Sequence, residues 1–69
     1  MQDRDIKRIE AHLRKTFGAP TLTVRARPKI KDSAEVYVGD EFIGVVSDDE
    51  DEDGSFTFNM AILAEDLTG

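Results

Sequence analysis

The stretch AEVYVGDEFIGVVS, residues 34–47, decides the fold. Ala34, Val36 and Val38 alternate with Glu35 and Tyr37, the period of two that marks a strand with one buried face. Gly39-Asp40 reads as a two-residue hairpin turn, with Gly first as a type II′ turn prefers. Phe42–Ser47 then returns as the next strand, with Tyr37 expected opposite Phe42. The returning segment FIGVV is apolar at positions of both parities, whereas a strand with one face in water alternates more cleanly.

On the N-terminal side, Leu22, Val24 and Ala26 alternate with Thr23, Arg25 and Arg27, which predicts a strand over about 21–27. Pro28–Ser33 reads as a polar turn region, so the second strand is expected over 34–38. Placing Arg27 opposite Glu35 and Arg25 opposite Tyr37 keeps both apolar sets on one side of the sheet. Further back, Ile6, Ile9, Leu13 and Phe17 form one stripe at helical spacing, predicting a helix over 3–17. Asp3 suits its start. Asp3–Lys7 and Glu10–Arg14 are favourable i,i+4 pairs, and Gly18 followed by Pro20 ends it.

On the C-terminal side an acidic loop, Asp48–Gly54, leads to a fourth strand over 55–63, with Phe56, Phe58, Met60 and Ile62 on one face. The order α-β-β-β-β with short connections implies an α+β fold. One N-terminal helix packs on a four-stranded antiparallel meander sheet, in a single domain spanning 1–69.

A hydrophobic content of 39% in this pattern excludes a disordered chain. It is still a thin supply for a core, since below about 70–80 residues a single core rarely gives more than about 3–5 kcal/mol. With no cysteine, neither a disulfide nor a zinc–thiolate site can staple the fold. No apolar run approaches the roughly 18 residues of a membrane span. The charged N-terminus has no signal-peptide core, so the expected location is the cytoplasm.

The net charge of −6 hides a sharp division. All nine Lys and Arg lie in residues 1–31, which carry +6 against three acids. Residues 32–69 hold twelve Asp and Glu with no Lys or Arg, giving −12. Such a chain either neutralises itself on folding or presents two faces of opposite sign.

The segments KTFGAP (Lys15–Pro20), VRARPK (Val24–Lys29), DSAEVYVGDEFIGV (Asp32–Val45) and FNMAIL (Phe58–Leu63) resemble a family of short bacterial proteins catalogued as domain of unknown function 3126. The resemblance covers nearly the whole chain, and its third segment is the most specific part. It implies a bacterial cytosolic protein complete at this length. It implies no activity, cofactor or site residue.

One helix covers one face of the sheet, and the other face meets water or a partner. Carried through the Gly39-Asp40 turn, the register places Arg25, Arg27, Glu35, Tyr37, Phe42, Gly44 and Val46 on the free face, with Ile43 and Val45 toward the helix. A slip of one residue inverts strand three. Aromatic residues and Arg beside an apolar stripe are what interface cores favour. The candidate interface is therefore Arg25, Arg27, Tyr37, Phe42 and Val46, joining either a homodimer or a protein partner. The alternative is an ordinary surface, because single exposed apolar residues are common.

Two other clusters bear on chemistry. Asp49, Asp51, Asp53 and Gly54 match the opening of a calcium loop, a divalent-cation alternative. The twelfth position is Met60 rather than a bidentate Glu, and the flanks read as strands, which favours a solvated loop over 48–54. Arg25, Arg27, Lys29 and Lys31, with Tyr37 and Phe42, form a basic and aromatic set over 25–31 that suits phosphates and stacked bases, a nucleic-acid alternative. The net negative charge favours ion pairing with Glu35 and the acidic strands instead. His12 is the only histidine, at the flank of the helical stripe. The spacing of Gly39 and Gly44 lacks the Lys-Ser/Thr of a phosphate loop. No catalytic set, metal site or cofactor site is expected, so the predicted protein is not an enzyme.

Overall fold

Helix α1 runs from Asp3 to Phe17 in the computed structural model, which describes residues 1–49, 51–60, 62 and 64–67. Its cap is Gln2 rather than Asp3. The Gln2 N–H donates to the Asp5 carboxylate at 3.3 Å, and Asp3 and Asp5 both sit in the first turn, where the helix dipole favours acids. Gly18 ends the helix in the left-handed region, φ 61°, and Ala19 N–H donates to the Arg14 carbonyl at 3.0 Å.

Four strands follow: β1 (Leu22–Arg27), β2 (Ile30–Val38), β3 (Glu41–Asp48) and β4 (Phe56–Met60). They form one antiparallel sheet in the order β1-β2-β3-β4, the expected meander. A short 3-10 turn spans Ala64–Leu67. The fourth strand ends at Met60, short of the predicted 63. Ile62 lies outside any strand, and positions 61 and 63 fall outside the described residues.

The second strand starts four residues earlier than its apolar pattern. Ile30, Lys31 and Asp32 are all exposed, so no burial alternation marks them; Ile30 pairs with Arg27, and Lys31 and Asp32 continue the strand outside the paired register. The β1–β2 turn is therefore only Pro28-Lys29, with Arg27 opposite Ile30 and an irregularity beside Ala26. The irregularity, which accommodates Lys31–Ser33 on β2, then sets the register of the rest of the pair. Arg25 lies opposite Glu35 and Thr23 opposite Tyr37, two residues from the expected pairing. A shift of two preserves the faces, so the apolar sets still point one way.

The β2–β3 hairpin turns at Gly39, φ 62°, and Tyr37 lies opposite Phe42 as expected. The next pair is Val36 opposite Gly44, so β3 carries an extra residue at Ile43, a β-bulge. Beyond it the parity of β3 is inverted. Val46 lies opposite Ala34 in the core, 2% exposed, and Val45 lies opposite Glu35 on the free face. Placing Val46 on the free face is thus corrected: the bulge, not the turn, sets the orientation of the second half of β3. It also accounts for an FIGVV segment that is apolar at both parities.

The core is Ile9, Leu13, Leu22, Val24, Ala34, Val36 and Val46. The predicted helix stripe holds at its centre but loosens at its end, where Phe17 is 56% exposed and meets Phe58 with ring centroids 6.2 Å apart. Met60, on the same strand face as Phe56 and Phe58, is 53% exposed. The cause is where the helix lies. It packs along β1, at one side of the sheet, and a helix about 10 Å wide cannot cover four strands spaced about 4.8 Å apart.

Candidate interaction surface

The free face is built around Tyr37. Alternation along β2 turns Glu35 and Tyr37 away from the helix, and the tight hairpin brings Phe42 back beside Tyr37. The two rings meet edge to face, with centroids 5.6 Å apart at 67°. On the other side the Arg25 guanidinium carbon lies 4.1 Å from the Tyr37 centroid, within range of a cation–π contact. The Tyr37 hydroxyl donates to Glu35 Oε1 at 3.3 Å. Arg27 reaches Ser33 Oγ at 3.5 Å. Phe42 is held on one side only and is 50% exposed.

Of the five predicted interface residues, the structure brings together Arg25, Tyr37 and Phe42 in one contiguous stack. Arg27 flanks it, and Val46 is removed to the core with Val45 in its place. Most of the chain's charges are unpaired among the described residues. The ion pair formed among the described residues is Glu10–Arg14, at 3.3 Å, and Glu35 takes the Tyr37 hydroxyl although Arg25 is its neighbour across the strands. The division in sequence is carried into the elements: the cations lie on α1, β1, the β1–β2 turn and the start of β2, and the acids of residues 32–69 lie from β2 onward.

The sequence model of one protein family, described as "Protein of unknown function (DUF3126)", matches residues 5–66. The chain belongs to this family. No curated protein and no solved structure matches it. The DUF3126 match confirms the relationship that the four sequence segments suggest, and its description carries no activity.

In this DUF3126 chain the acidic loop is closed by Asp49 N–H donating to the Ser55 carbonyl at 3.0 Å and by Ser55 N–H donating to the Glu52 carbonyl at 3.1 Å. Asp49 Oδ1 accepts the Asp51 N–H at 2.9 Å, which engages this carboxylate in the turn itself. Gly54 supplies the left-handed residue, φ 83°, before β4. Among the described residues no group of three or more His, Asp or Glu side chains is arranged to hold a metal.

The sequence reading missed an open groove of about 520 Å³ between α1 and the β3–β4 side of the sheet. Val46, Phe56 and Phe58 form its floor, with Arg8 and His12 on its rim. His12 Nε2 shares a 3.3 Å hydrogen bond with Thr16 Oγ1. The widths of one helix and four strands were the available signal.

Proposed function

We propose that this chain is a small non-enzymatic interaction module that binds itself or a protein partner through the free face of its sheet. The observation that carries it is the Arg25–Tyr37–Phe42 stack, with Phe42 half exposed at its end. Tyr37 is held from both sides, so its side-chain entropy is spent in the free chain and little more is lost on association. Arg and aromatic residues in that arrangement are the types that dominate interface energetics. Val45 extends the surface, and Arg25 and Arg27 lie on the side of the stack where they set orientation and salt dependence.

Sedimentation equilibrium from low to high micromolar concentration tests the self-binding form. The wild type is expected to form a two-fold dimer, in which one patch faces itself. Phe42→Ser is expected to weaken it by more than about 1 kcal/mol while leaving the circular dichroism unchanged. An equally strong dimer in Phe42→Ser removes the free face from the account. A strictly monomeric wild type leaves only a partner protein as occupant.

A further inference from the structure

The two edges of the sheet are treated differently. On β1 the helix closes the edge: Val24 N–H donates to Glu10 Oε2 at 2.9 Å, and Arg14 Nε donates to the Leu22 carbonyl at 2.7 Å. Glu10 and Arg14 are themselves paired, so the two side chains form one clamp over the outer backbone of β1. Edges left open are templates for another strand, and this is one way of blunting them.

The edge at β4 has no such device among the described residues. Phe56–Met60 reads FTFNM, without a charge or a proline, and pairs with β3 over five consecutive residues without a bulge. No described group bonds to its outer backbone. Its flanks are strongly charged. Asp48, Asp49, Asp51, Glu52 and Asp53 precede it, and Glu65 and Asp66 follow it in sequence.

We infer that β4 is a strand-addition site, and that its occupant is an extended, Lys/Arg-bearing segment of a partner protein. Main-chain hydrogen bonds give affinity in this mode, and flanking side chains give specificity. Charge selects the occupant. A second copy pairing β4 with β4 joins two edges that each follow an acidic loop of like sign, at a net charge of −6 per chain. A second copy offering its basic β1 instead meets the Glu10–Arg14 clamp. An extended basic segment satisfies both the open backbone and the acids. This site rests on the reading of the chain as an interaction module but uses the outer backbone of β4 rather than the Arg25–Tyr37–Phe42 stack, so the two fail separately.

The probe is a seven-residue peptide alternating Lys and Val, added to the full chain and followed by amide exchange and amide shifts. Two control peptides are a Glu/Val counterpart and a backbone N-methylated Lys/Val peptide. Slowed exchange and shifts in Phe56–Met60 are expected with the Lys/Val peptide only. They are expected to disappear in Thr57→Lys/Asn59→Lys, where both replaced side chains are exposed, and to persist in Phe42→Ser. Equal binding of the N-methylated peptide means attraction without strand addition and overturns the inference. So does an unchanged β4 with the Lys/Val peptide, or β4 amides already protected in a dimer of the chain alone.

Discussion

Arg25 stacks on Tyr37 instead of pairing with Glu35, its direct neighbour across the strands. Glu35 is engaged by the Tyr37 hydroxyl, so the acid and the cation both organise around one ring. Tyr37→Ala is therefore expected to release both and leave Phe42 without its edge contact. The loss is expected to fall mainly on association, because cation–π contacts at exposed sites contribute only about 0.5–1 kcal/mol to the fold. Paired thermal melts and dissociation constants check the division.

Leu13 lies in the core at the centre of the helix stripe. Leu13→Ala is expected to cost about 2–5 kcal/mol, the range for a buried Leu. Chemical denaturation measures it, and a loss below about 1 kcal/mol contradicts the packing of α1 on β1.

Gly44 is set by space rather than by backbone angle. A Cβ at this position lies 2.8 Å from Phe58 Cε1 and also meets the Asn59 carbonyl. Gly44→Ala is expected to destabilise by about 1–3 kcal/mol through overpacking, in spite of the better strand propensity of Ala. An unchanged denaturation midpoint means that Phe58 does not cover this glycine.

The hairpin over residues 34–47 was legible because turn chemistry and alternation agreed: Gly39 turns it, and Tyr37 meets Phe42. The bulge at Ile43 was not legible in detail. An apolar FIGVV fits either orientation, and only packing against Ala34 and Val36 selects Val46 for the core. The start of β2 was hidden for the opposite reason, since Ile30–Asp32 are extended without being buried and leave no hydrophobic period. For the site, Arg25, Tyr37 and Phe42 could be found from alternation and one turn, whereas Val45 and Val46 exchange places with a single inserted residue. The Glu10–Arg14 pair was visible as a helix-surface pair, but its hold on the backbone of β1 depends on where the helix lies.

That hold gives a further prediction. Glu10→Ala leaves the outward Val24 N–H without its acceptor and opens the β1 edge. A stability loss of about 0.5–1.5 kcal/mol is expected for one such bond. Time-dependent light scattering at high concentration is expected to rise with it, since an open edge recruits other strands. A variant as soluble as the wild type shows that the clamp does not protect the edge.

Asp51 is exposed in the acidic loop, and its backbone N–H, rather than its side chain, is bonded within the turn. Asp51→Asn is expected to leave stability within about 0.5 kcal/mol of wild type, the usual range for such a surface position. A saturable micromolar calcium response, lost in this variant, promotes cation binding over the solvated loop.

The most direct test of the free-face account follows ring and methyl resonances of the chain over a concentration series, alone and with any partner obtained. The account predicts shifts that begin at Tyr37, Phe42 and Val45 and leave the core methyls of Val36 and Val46 nearly still. Shifts confined to Phe56–Met60, or to the groove lined by Phe56 and Phe58, with Tyr37 and Phe42 unmoved, contradict it.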